Sequence, residues 1–202
     1  MIKNIIFDFG DIFINLDKDV IFRGMVQFGG VPEMKKELLS LNNLYEVGKI
    51  TSEEFVSQLA SHYPKASPAE IVHIWNSMLL DFPDHRLAFI ENLAKEAKYR
   101  LFLLSNTNAL HIPHVAHNIM GVDKFNRFKN SFEQFYLSHE IKLRKPNAEI
   151  YAFVLDQNGL KAAETFFIDD TAENTNAATE MGIKCWNLKV GLEDITELKS
   201  KL

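Results

Sequence analysis

Asn4-Ile5-Ile6-Phe7-Asp8-Phe9-Gly10-Asp11 is a short apolar run that ends in a carboxylate and then a glycine turn. A second run far along the chain, Thr165-Phe166-Phe167-Ile168, ends in Asp169-Asp170. Continuous apolar runs of this length, bounded by polar turn residues, read as strands buried on both faces of a parallel sheet. In open parallel sheets ligands sit beyond the carboxyl ends of the strands, so tips that are distant in sequence can meet there. Between these runs lie Leu101-Phe102-Leu103-Leu104, ending at Ser105-Asn106, and the basic pair Arg144-Lys145 before Pro146.

Working outward, strands are expected near residues 3–7, 100–104, 135–138, 165–168 and 184–188, separated by helical patterns. Strands alternating with helices imply an α/β fold, a Rossmann-like, mostly parallel sheet with helices on both faces. Residues 16–83 are too long for one crossover and read as several helices, hence as a small all-helical cap inserted into a core of 1–15 and 84–202. Thr51-x-x-Glu54 and Ser67-Pro68-x-Glu70 are capping boxes that start two cap helices. Ile71, Ile74, Trp75 and Met78 form an apolar stripe for the cap core, and Gly29-Gly30 reads as a turn between cap helices. In the core, Leu87, Ile90, Leu93, Ala94 and Ala97 are the expected buried side of a helix, and Gly182 its later counterpart as a helix stop.

The strand tips carry the parts needed for phosphoryl transfer through an aspartyl-phosphate. A carboxylate attacks phosphorus only when the negative charge of the phosphate is neutralised by a hard cation and polarised donors. Asp8 is the candidate nucleophile; Asp8, the Gly10 carbonyl and Asp170 are candidate Mg²⁺ ligands, with Asp169 acting less directly through a ligated water. Ser105 and Asn106 are placed to bind the phosphoryl group, and Lys145 is a point charge able to pair with phosphate and carboxylates alike. Singly, each has a blander reading as a turn or helix-cap residue; together, in this order, they point to a site.

The segments FDFGDIF, LLSNTN, LRKPNAEIY and FIDDTAEN resemble the four motifs of the haloacid dehalogenase-like hydrolase superfamily, and the resemblance spans most of the chain. It is strongest to the helical-cap type, in the bacterial branch of glucose-1-phosphate and other sugar-phosphate phosphatases, whose first motif is Asp-x-Gly. The stretch Leu44–Phe55 resembles the cap of that branch. The resemblance implies a Mg²⁺-dependent phosphomonoester hydrolase acting on small phosphorylated metabolites, sugar phosphates among them. Most of the superfamily has an acid/base aspartate two residues after the nucleophile; here Gly10 stands there, and Asp11 reads as a turn residue. Alternatives are a catalytically weak protein that binds a phosphorylated ligand or a protein partner, a phosphosugar mutase and a haloacid dehalogenase. The missing acid/base group argues against the mutase, and the Asp169-Asp170 pair argues against a metal-free dehalogenase.

The remaining features set the context. The 202 residues carry a net charge of −5, which gives no bulk attraction for nucleic acid or anionic membrane. Hydrophobic residues make up 47% and include 16 phenylalanines, enough for an aromatic core. With one cysteine, Cys185, no internal disulfide forms, and that thiol reads as buried and inert. Apolar runs fall short of the ~20 residues that span a bilayer and no secretory segment opens the chain, so a cytoplasmic location is expected. His111, His114 and His117, around Pro113, read as a solvated helix or loop and not as metal ligands. Asp17, Arg23, Tyr45 and Trp75 are the cap residues from which leaving-group contacts are expected.

Overall fold

The computed structural model describes residues 1–29 and 35–202. Five parallel strands form one sheet: β1 (Asn4–Phe7), β2 (Arg100–Ser105), β3 (Gln134–Leu137), β4 (Thr165–Asp169) and β5 (Lys184–Asn187), in the order β3-β2-β1-β4-β5. After β3 the chain returns to the other side of β1, so the order reverses between β1 and β4 and opens a crevice at their carboxyl ends.

Alternate strand residues face opposite sides, and the packing follows that period of two. Ile5, Phe7, Leu101, Leu103, Phe166 and Ile168 join a cluster with Leu87, Ile90 and Leu93 of α5 (Asp84–Glu96) and Phe128 of α7 (Val122–Lys129). Phe128 also meets Phe9, Phe13, Phe82 and Phe132 at ring-centroid distances of 5.0–5.4 Å. Ile6, Phe102, Leu104 and Phe167 face the other way, onto Ile150, Tyr151 and Val154 of α9 (Ala148–Asn158) and Ala178 of α10 (Ala172–Glu180). Ala97, expected on the buried side of α5, is instead exposed and closes that helix in the left-handed conformation at φ 50°. Gly182 does end the α10 turn with positive φ (82°).

Between β1 and β2 lie α1 (Val20–Val26), α2 (Lys35–Glu46), α3 (Ser52–His62) and α4 (Pro68–Asn76). They share an apolar cluster of their own, including Ile21, Met25, Tyr45, Phe55, Leu59, Ile71 and Trp75. Both expected capping boxes are present. The Glu54 and Glu70 backbone N–H groups donate to the Thr51 and Ser67 hydroxyls, and the two glutamates accept from the Thr51 and Ser67 N–H groups. Helix α4 stops at Asn76, so Met78 lies just beyond the stripe to which it was assigned. Gly29 has φ 88°, as a turn after α1 requires; Gly30 lies outside the described residues. The chain entering this insertion runs beside the chain leaving it: Leu16 bridges Leu79, Asn15 N–H donates to the Asp81 carbonyl (3.0 Å), and Leu80 N–H donates to the Asn15 carbonyl (2.9 Å).

Candidate active site

Asp8 emerges from β1 with its N–H bonded to the Ile168 carbonyl (2.9 Å), which ties it to the neighbouring β4. Lys145, from the loop before α9, is 1% exposed, and its Nζ donates to Asp8 Oδ1 and Asp169 Oδ2, both at 2.7 Å. Burial alone would pull this ammonium's pKa down, but Asp169 and Asp8 outweigh it and hold the pKa above its ordinary value. Asp8 has the opposite balance. Burial, with Asp169 and Asp170 adding to it, pushes its carboxyl up to about 7 against the pull of Lys145.

The structure brings Asp8, Asp169 and Asp170 together, with one carboxylate oxygen from each inside 4.8 Å of the others. Their duties differ. Asp169 is fully buried: Oδ1 accepts from Thr171 N–H (2.8 Å) and Asn174 Nδ2 (3.0 Å), and Oδ2 from Asn174 Nδ2 (3.0 Å) and Lys145. Asp170 is half-buried and pairs with Lys18 Nζ (2.6 Å), which also reaches Asp11 Oδ2 (2.8 Å). A divalent cation fits this donor set. Hard oxygen ligands converge, and the carboxyl that burial holds up near neutrality is the one a cation would restore to its charged form.

Ser105 and Asn106 end β2 at the same opening, but they part company. The Ser105 hydroxyl has only a 3.5 Å contact to the Asn106 carbonyl and is free to donate elsewhere. The Asn106 amide is engaged at both ends, Oδ1 accepting from Lys145 N–H and Nδ2 donating to the Lys145 carbonyl, each at 2.9 Å. Asn106 therefore positions Lys145, and it also lines the opening where a phosphate contact is expected. Gly10 has ordinary negative φ, so conformation does not demand glycine there; a Cβ would instead lie 2.8 Å from Leu16 Cδ1. Asp11 does adopt a left-handed turn (φ 56°), and its Oδ1 accepts from Leu16 N–H (3.1 Å).

These groups open into a cavity of about 410 Å³ between the sheet ends and the inserted helices. Of the four cap residues expected to contact a leaving group, only Trp75 lines it. Asp17 and Arg23 pair with each other, and the buried Tyr45 bonds Ser52 Oγ (2.6 Å). Two bridges fasten the end of α2 and the loop after it to the core: Arg144 binds Glu46 Oε2 (3.0 Å), and Lys142 Nζ donates to the Gly48 carbonyl (3.1 Å). Gly48 has φ 57°, and a Cβ there would come 2.5 Å from the His139 carbonyl, so both space and conformation require glycine.

Asn174 and Lys18 escaped the sequence reading, and His111 was misplaced by it. Asn174 lies in the first turn of α10, and its signal was only its place in the Asp169-Asp170-Thr171-Ala172-Glu173-Asn174 run. His111, expected in a solvated segment, is buried. Its ring stacks on Trp75 (centroids 5.4 Å), with Nε2 3.1 Å from the Trp75 carbonyl and Nδ1 3.1 Å from Asn108 Nδ2. It opens the short helix α6 (His111–His114), and Pro113 is tolerated there because first-turn N–H groups have no helical partner. His117 is exposed as expected. Cys185, in β5, is half-buried, and burial raises its thiol pKa.

The profile of the haloacid dehalogenase-like hydrolases matches residues 5–188. The chain belongs to this family. A D-ribitol-5-phosphate phosphatase from Bacteroides thetaiotaomicron is 27% identical over 206 residues, covering 98% of this chain and 97% of its own. A solved family enzyme from the same organism, in complex with magnesium and inorganic phosphate, is 34% identical over 98% of this chain and 99% of that one, with a TM-score of 0.83. A predicted hydrolase of the family from Porphyromonas gingivalis has the same TM-score at 27% identity, covering 100% of this chain and 98% of that one. Among the described residues no helix is long and apolar enough to cross a membrane.

Proposed function

We propose that the protein is a Mg²⁺-dependent phosphatase of small phosphomonoesters, working through an aspartyl-phosphate on Asp8. The observation that carries this reading is the buried Lys145 ammonium bridging Asp8 and Asp169 beside Asp170, at the mouth of a cavity of metabolite size. The Bacteroides relatives, one named for a polyol phosphate and one solved with magnesium and phosphate, support the same reaction class and favour sugar or polyol phosphates as substrates.

Bound Mg²⁺, held by Asp8, the Gly10 carbonyl and Asp170, would neutralise charge on the phosphoryl oxygens. Lys145 holds Asp8 Oδ1, which leaves Oδ2 to attack phosphorus. The Asp8 oxygen–phosphorus bond forms as the ester bond breaks, and the departing alkoxide takes its proton from water. Ser105 and Lys145 hold the phosphoryl oxygens, and Asn106, through the Lys145 backbone, and Asn174, through Asp169, keep the ammonium in place. A water oxygen then bonds phosphorus as the Asp8 oxygen–phosphorus bond breaks, the water proton passing to the released phosphate or to the hydroxide left by the first step. With no side chain at Gly10 to act as base, this second step is the slower one. In this reading residues 16–83 are a cap over a core of 1–15 and 84–202, supported by the separate apolar cluster of α1–α4.

Turnover of p-nitrophenyl phosphate with and without Mg²⁺ tests the reading. Asp8→Asn should remove activity by at least ~10³-fold while leaving the circular dichroism spectrum unchanged. Activity independent of Mg²⁺, or activity retained in Asp8→Asn, would refute it.

A further inference from the structure

The inserted helices and the chain leaving them line the cavity mainly with apolar groups, Asn42 and Glu46 of α2 being polar exceptions that bond each other (3.1 Å). Ile21, Phe22, Leu38, Leu39, Met78 and Leu79 are among the apolar ones. Among the described residues, the cations that line the same space are already committed: Lys145 to Asp8 and Asp169, Lys18 to Asp11 and Asp170, and Arg144 to Glu46. His111 is held neutral, both ring nitrogens being bonded and its pKa lowered to about 4 by burial. Glu173, in the first turn of α10, adds a further acid to the lining.

Summed over the site, the carboxylates Asp8, Asp11, Glu46, Asp169, Asp170 and Glu173 face the cations Lys18, Arg144 and Lys145. A divalent cation and a phosphate dianion cancel one another, so the loaded cavity stays net negative. A second anion would enter a negative field and lose its hydration against aliphatic carbon; an ammonium would lose hydration against the same carbon. We infer that the site selects monophosphates of uncharged alcohols that lay an aliphatic face on Met78 and Leu79, and rejects esters bearing a second phosphate or a carboxylate. This inference rests on the phosphatase reading and names its substrate class.

A length-matched series tests it: propane-1,3-diol monophosphate, the corresponding bisphosphate, 3-phosphooxypropanoate and 3-aminopropyl phosphate, each assayed with the Mg²⁺-loaded enzyme. Binding of the matching phosphonates is followed in parallel by calorimetry. The uncharged ester should exceed both anionic esters by at least ~30-fold in kcat/KM and exceed the amine as well, with phosphonate affinities in the same order. Met78→Lys places a cation in the wall and should narrow the gap between the bisphosphate and the uncharged ester by at least ~5-fold, read as a ratio within the variant. Parity of an anionic ester with the uncharged one, preference for the amine, or an unchanged ratio in Met78→Lys would overturn the inference. If no ester is hydrolysed, the phosphatase reading fails, and the phosphonate affinities still decide the preference of the cavity.

Discussion

At the cavity floor, Asp8, Lys145 and Asp169 are each at most 8% exposed and hold one another through ionic hydrogen bonds, whereas the opposite wall is made of half-buried and buried aliphatic groups such as Leu38, Met78 and Leu79. The two regions pack differently and should respond differently to change. On the floor each charge exists because its partners do, so removing one strands the others. On the wall, contacts are non-directional, and a change of similar volume is absorbed. In the proposed function the floor carries the reaction and the wall the choice of substrate.

The sharpest way to break this contrast is Lys145→Ala. It leaves Asp8 and Asp169 buried without their ammonium, and stability should fall by about 3 kcal/mol in urea titrations, along with phosphatase activity. A loss near zero would put the floor on the same footing as the wall. Asp170→Asn comes next. It keeps the shape but removes a charge from the proposed Mg²⁺ site, and the Mg²⁺ concentration for half activity should rise at least ~10-fold. An unchanged Mg²⁺ requirement would place the metal elsewhere.

His111 probes the seam between the two regions. Its pKa is lowered from an ordinary 6.5 to about 4, chiefly by burial, with the Trp75 carbonyl partly opposing. The unfolded chain therefore binds the proton more readily than the folded one. Stability should decline as pH falls below about 6.5 and level off near 4, and His111→Gln should flatten that part of a thermal-midpoint profile. The same slope in the variant would remove His111 as its cause. The smallest effect is expected from Asp11→Asn. The Asp11 carboxylate is turned to Leu16 N–H and Lys18 and does not line the cavity, so steady turnover should change by less than ~3-fold. A large loss would make Asp11 the missing acid/base group.

Local chemistry made much of this legible beforehand. Strand tips, both capping boxes and the stop at Gly182 depend on residues within a few positions, and the chain obeyed them. The groups that converge at the floor were visible because each closes an apolar run or stands beside a proline. Ala97 and Met78 were misplaced by a residue or two at helix ends, where terminal geometry is decided locally; what stayed hidden otherwise involves partners distant in sequence. His111 is buried by Trp75, 36 positions away. Lys18 reaches Asp170 across 152 positions. Such pairings follow from the order of strands in the sheet, which no short window encodes.

The adjacency of the chain at Leu16 and Leu79 has a consequence for how such a protein can change. The helical segment leaves and rejoins the sheet-bearing part through two chains lying side by side, so in topological terms it is a side branch whose two ends already touch. Lengthening it, shortening it or exchanging it for another fold moves no strand and re-threads no crossover, and the entropic cost of a longer branch grows only as the logarithm of its length. The branch can thus change while the strand tips and the groups they hold are inherited intact.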